Sequence, residues 1–208
     1  MTLTSQSRLF FAVLASFSIS ACTISSRTSI PSTLGQSSSS LVMEAHLDDA
    51  GPIQLESVNS ADWSVSLGGL VNLKNPEAQA VHLQDKEEAV QVYAHILHHP
   101  RYGYFLIDTG VSEKLVQDPA GVGLSWMMRK GMNIEKMHLR ESTSTILKRL
   151  PQKLSGVFFT HLHLDHISGM PDIDNDVPLY VGAGETSESA WLNMFVQAST
   201  DRLLANKA

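Results

Sequence analysis

Apolar and polar positions alternate along the chain in short runs that break at glycine or proline, the pattern of short strands separated by turns and helices. Trp63-Ser64-Val65-Ser66-Leu67 alternates as a strand with one buried face, and Gly68-Gly69 breaks it. Val90, Val92, Ala94 and Ile96 share one face of a second extended run. Tyr102 to Ile107 forms another after a turn at His98-His99-Pro100-Arg101, so the two runs predict a hairpin. Ile146, Leu147 and Leu150 fall on one side of a short helix predicted from Ser142 to Leu150 and stopped at Pro151. Gly156 to Thr160 reads as a short buried strand, and Trp191, Leu192, Phe195 and Val196 keep helical spacing. The mixture predicts an α/β (α+β) domain, and neither an internal repeat nor a second domain is visible.

The pattern is different before residue 41. Leu9 to Ile19 is an apolar stretch of 11 residues behind Arg8, too short to cross a bilayer, which needs roughly 20. Ile19-Ser20-Ala21-Cys22 resembles a lipobox, in which the cysteine is acylated and becomes the new N-terminus. That resemblance implies a lipoprotein signal peptide over 1–21, lipidation at Cys22, and a lipid anchor to the periplasmic or outer-membrane side of a bacterial cell envelope. From Thr23 to Ser40, 11 of 18 residues are Ser or Thr, without apolar periodicity, so 22–40 reads as a flexible tether. The folded domain is expected over 41–208.

Composition narrows the function classes. With 43% hydrophobic and 17% charged residues the chain is not of the disordered type. A net charge of -6 gives no basic surface to draw in a phosphate backbone, so nucleic acid is not expected as a partner. Cys22 is the only cysteine, which excludes a disulfide within one copy.

The chemistry concentrates after the buried strand, in His161-Leu162-His163-Leu164-Asp165-His166, followed by Gly169. Three imidazoles and a carboxylate within six residues are hard to justify as packing. In an extended segment residues 161, 163 and 165 point the same way, and 166 joins them only if the chain bends. Nitrogen and oxygen donors without thiolate favour zinc, with manganese, iron or nickel as alternatives. His95, His98 and His99 read as turn residues, and Asp172, Asp174 and Asp176 as a solvated acidic turn that lacks the glycine and distal glutamate of a calcium loop.

Strand-Thr-His-x-His-x-Asp-His followed by an apolar residue and glycine resembles the signature of the metallo-β-lactamase superfamily. The resemblance implies one half of an αββα sandwich, the N-terminal one, with His161 and His163 at one metal and Asp165 and His166 at a second. It implies two zinc ions in the complete site, and Asp165 as the group that orients the attacking water. Tyr104-Phe105-Leu106-Ile107 running into Asp108-Thr109-Gly110 looks like the family's upstream strand-Asp-x-Gly element, whose aspartate orients the site without binding metal. Asp-Thr-Gly also marks aspartic proteases, but those need a second copy, and this chain has one.

The family's later ligands include two further histidines, and none of the nine histidines here follows His166. The expectation is therefore a zinc-dependent hydrolase of small esters, lactones, amides or thioesters, similar to N-acyl-homoserine lactonases, with its later ligands missing. The alternative is an inactive membrane-tethered remnant with weak metal binding. A sheet left uncovered would promote self-association.

Overall fold

A computed structural model describes residues 22–32 and 38–204. The leader read over 1–21 lies outside the described residues. In chain order the elements are β1 (Cys22–Thr23), α1 (Ser40–Glu44), β2 (Gln54–Ser66), α2 (Leu67–Leu70), α3 (Pro76–Ala80), β3 (Glu87–His99), β4 (Gly103–Ile107) and α4 (Glu113–Gln117). There follow α5 (Trp126–Gly131), β5 (His138–Leu139), α6 (Thr143–Lys148), β6 (Leu154–Phe158), α7 (Leu164–Ile167), β7 (Leu179–Tyr180), β8 (Ser189–Ala190) and α8 (Asn193–Leu203). The fold is mixed α/β. Among the described residues no helix is long and apolar enough to cross a membrane.

One six-stranded sheet has the order β5-β2-β3-β4-β6-β7. The hairpin β3–β4 and the long pair β2–β3 are antiparallel, whereas β4, β6 and β7 run parallel. The β4-to-β6 connection is a crossover carrying α4, α5 and α6, because parallel neighbours cannot be joined by a tight turn. Serines start these helices: the side chains of Ser112, Ser125 and Ser142 accept from Lys114, Met128 and Thr145 N–H groups.

The core lies between the helices and one face of the sheet. Val58, Ala61, Trp63, Val92, Ala94, Ile96, Leu106 and Val157 are buried with Leu115, Met128, Ile146, Ile167 and Leu203 from the helices. The face carrying Val92, Ala94 and Ile96 is therefore the covered one. The alternate positions Tyr93, Phe105 and Phe158 form the outward face, with Tyr93 41% and Phe158 37% exposed. Residues of one strand alternate between faces, so burying the Val-Ala-Ile set turns the aromatic set outward.

β2 carries a bulge between Asn59 and Ala61. The extra residue, Ser60, is fully buried; its hydroxyl donates to Glu141 O at 2.7 Å and accepts from Val111 N at 2.8 Å. That bulge ties the loop after β4 to the crossover.

The segment 22–40, read as a tether, is docked over its first residues. β1 pairs antiparallel with β8, Cys22 opposite Ala190. Ser25 Oγ and Ser26 N both donate to Asp201 Oδ1, at 2.5 and 2.9 Å, and Gln197 Nε2 donates to Thr23 O at 2.9 Å. Ile24 joins the core. The hydroxyls that suggested solvated chain find fixed partners on α8, and Ile24 adds apolar burial to offset the ordering entropy.

Candidate functional site

Parallel neighbours end side by side, so the loops after β4 and β6 leave the sheet together, the usual place for a site in parallel α/β sheets. Ile107 stands opposite Phe158, and Asp108 N donates to Phe158 O at 2.8 Å. Asp108 has φ +56°, a left-handed conformation uncommon outside glycine but tolerated by aspartate. That turn aims its buried carboxylate across at the second loop. Asp108 Oδ1 accepts from Thr160 N at 3.0 Å, and Oδ2 accepts from Thr160 Oγ1 at 2.9 Å. His166 Nδ1 lies 2.7 Å from the same Oδ2.

Thr109, fully buried, completes the junction. Its N–H and hydroxyl both donate to His166 O, at 2.9 and 2.8 Å, while Gly169 N donates to its hydroxyl at 2.9 Å. Gly169 is required by close approach: a Cβ there would stand 2.2 Å from Thr109 O and 2.3 Å from Thr143 Oγ1.

The extended reading of the histidine motif holds only as far as His163, which has φ -71° and ψ 157° and starts α7. Leu164 to Ile167 is a single helical turn, so Asp165 and His166 do not continue a strand-like alternation. The reason lies within the motif. Leu164 and Ile167, three apart, are both buried, and Ser168 Oγ donates to Leu164 O at 2.6 Å. The turn swings His166 back over His161, with ring centroids 3.9 Å apart, and His161 lies 4.5 Å from His163.

His166 stands between two carboxylates: Nδ1 faces Asp108, and Nε2 is 3.2 Å from Asp165 Oδ2. Burial opposes its charge, but the bonds to Asp108 and Asp165 prevail and push its pKa up to about 9. Burial would raise both aspartates, and the bonds to His166, with those from Thr160 in the case of Asp108, hold them below the usual carboxylate value instead. Burial, then the neighbouring His166 and His163, push His161 down, towards the neutral form that a metal ligand needs. The Thr160 hydroxyl proton goes to Asp108, so its oxygen can accept from His161 Nδ1, 3.2 Å away, a tautomer that leaves the lone pair on Nε2.

The donor chemistry fits a divalent cation. Among the described residues, however, no group of three or more His, Cys, Asp or Glu side chains is arranged to hold a metal ion. His163 and Asp165 open onto a cavity of about 440 Å³ whose other walls include Trp63, Leu70, Met128 and Val196. Ile24 of the docked N-terminal segment also lines it, whereas Cys22 pairs with Ala190 of β8.

The other histidines stay apart from the motif. His95 Nδ1 meets Ser57 Oγ at 2.8 Å, His98 stacks on Tyr104 at 4.4 Å, and His99 Nδ1 accepts from the N–H groups of Arg101 and Tyr102 in the turn. Asp172 pairs with Lys114, and Asp174 with Lys153. Sequence reasoning missed Thr109 and Thr160 as organising groups, although both lie inside the quoted motifs. It also missed Glu185, whose Oε1 accepts from Leu162 N at 2.7 Å, and no local pattern marks that residue.

The family model described as the metallo-beta-lactamase superfamily matches residues 88–194. No curated protein matches the chain. Among solved structures, a quorum-quenching N-acyl homoserine lactone lactonase is 18% identical with a TM-score of 0.44, over 69% of this chain and 53% of that one. A mutant of B. thuringiensis AiiA with N-decanoyl-L-homoserine bound at its active site is 18% identical with a TM-score of 0.44, over 69% and 56%. A probable metal-dependent hydrolase from Staphylococcus aureus is 16% identical with a TM-score of 0.40, over 58% and 41%. The chain spans about half the length of these structures.

Proposed function

Because the chain belongs to the metallo-beta-lactamase superfamily, whose members typically bind divalent metals, we propose that it is built for zinc-dependent hydrolysis of a small ester, lactone, amide or thioester. The observation that carries this reading is His166 held between Asp108 and Asp165 beside the rings of His161 and His163. His161 and His163 would hold one metal, and Asp165 and His166 the second. The chemistry supplied by bound metal is Lewis acidity, which lowers the pKa of water towards neutrality and polarises the scissile carbonyl. Asp108 fixes the His166 ring through Nδ1, and Asp165 orients the water through its second oxygen.

The largely apolar cavity beside His163 and Asp165 suits a substrate with a hydrocarbon arm, which favours an N-acyl-homoserine lactone within this class. The test is hydrolysis of lactone, β-lactam and thioester substrates by zinc-loaded protein. Turnover that His161→Ala or His163→Ala abolishes is expected. Activity and bound metal unaffected by the double substitution would refute the site.

A second reading, a tethered remnant with weak metal binding, is favoured by the lack of a three-donor group among the described residues. Zinc titration together with the same assays separates the two, since weak binding without turnover on any substrate class supports the remnant. In either case we propose acylation at Cys22, which would stand the cavity close to the bilayer because Ile24 lines it. Cells fed labelled palmitate should label the parent and not Cys22→Ser.

A further inference from the structure

Leu162 separates His161 from His163, so its backbone sets where both imidazoles point. Its side chain is 1% exposed and lines a cavity together with Phe159, Leu179, Val181 and the N-terminal residues Ser29 and Ile30. Its N–H donates to Glu185 Oε1 at 2.7 Å, a short bond for an N–H donor. The carboxylate does not come from a loose loop. Glu185 N donates to Gly182 O at 3.3 Å, Gly184 takes φ +92° to turn the chain, and Ser187 N and Glu188 N both donate to Gly184 O at 2.9 Å. The next residue, Thr186, is held by the docked N-terminal segment: Ser29 N donates to its hydroxyl at 3.3 Å, and that hydroxyl donates to Ser29 Oγ at 3.0 Å.

We propose that Glu185 is a positioning residue of the site, its carboxylate fixing the His161–His163 loop through the Leu162 N–H. The N-terminal segment braces the turn that carries it. Glu185 Oε1 is committed to the amide, and through that bond it contributes to the orientation of two imidazoles. The effect on metal binding rests on the metallohydrolase reading, whereas the hold on the loop does not.

The experiment compares the parent chain with Glu185→Ala and Glu185→Gln, measuring amide hydrogen exchange at Leu162 and zinc affinity by calorimetry. Glu185→Ala should speed exchange at Leu162 by about 10-fold or more and weaken zinc binding by roughly 10- to 100-fold. Glu185→Gln, whose amide oxygen can accept the same bond, should recover most of both. Unchanged exchange at Leu162 in Glu185→Ala would overturn the proposal, as would equal acceleration in both variants. A parent that binds no zinc would defeat the metallohydrolase reading, and the exchange data would still decide the role of Glu185.

Discussion

At the scale of single residues the site depends on close backbone contact as much as on its ionisable groups. Gly169→Ala sets a methyl against Thr109 O, and because that oxygen is backbone, the loop after β4 must move. The expected cost is about 1–3 kcal/mol, read as a lower urea midpoint at unchanged slope. A midpoint equal to the parent's would show that the junction is loose. Asp165→Asn keeps the shape of the side chain and removes the charge facing His166 Nε2. In zinc-loaded protein it should lower turnover by about 100-fold or more, with a loss of bound zinc no greater than the loss of turnover. Full activity would remove Asp165 from the mechanism. His161, His163, Asp165, His166 and Asp108 are legible because two dense motifs carry them. Glu185 is not, because it reaches Leu162 through space from a turn that follows another strand, and a single glutamate in a loop has no periodicity to betray it.

At the scale of elements, legibility follows apolar alternation. The β3–β4 hairpin and the helix after Ser142 fall where Val90 to Ile96 and Ile146 to Leu150 place them, because a buried face enforces the pattern. β2 begins at Gln54, well before Trp63, because its first residues, Gln54 to Ser57, are exposed and held by pairing with β3, which writes no hydrophobic signature. α7 was hidden because one helical turn inside a ligand motif shows only Leu164 and Ile167. The docked segment was hidden because its anchors are hydroxyls. Ser25 is 1% exposed and bonded to Asp201. Burial would raise the Asp201 carboxyl, but the bonds from Ser25 and Ser26 hold it below its ordinary value. A depressed carboxylate contributes stability that is fully present above its unfolded value, near 3.8, and is lost as pH falls through the lower folded one. Asp201→Asn should therefore flatten the acid limb of the stability curve below about pH 4, and at pH 7 it should expose 22–30 to faster amide exchange. An acid limb identical to the parent's, with exchange unchanged, would mean that β1 and Ile24 alone hold the segment.

For the whole molecule, the decisive asymmetry lies between the two faces of the sheet. One is sealed by helices, and the other presents a row of aromatics across three strands. Phe105 lies 5.4 Å from Phe158, and Phe158 lies 4.9 Å from Tyr180, with Tyr93 41% exposed on β3 and Leu55 62% exposed on β2. Soluble monomers seldom show contiguous apolar surface of this kind, and each Å² of it removed from water contributes about 25 cal/mol. The face spans the central strands, and a two-fold axis would set it against itself in a second copy, a self-complementary contact. The chain is therefore expected to self-associate as concentration rises, with its helical layer and the His161–His166 site turned outward. Sedimentation of the parent against Tyr93→Ser/Phe158→Ser checks this: both side chains point away from the core, so the double variant should fold and shift towards monomer. A parent that stays monomeric at every concentration, or a variant that associates as strongly, would show that this face does not bring copies together.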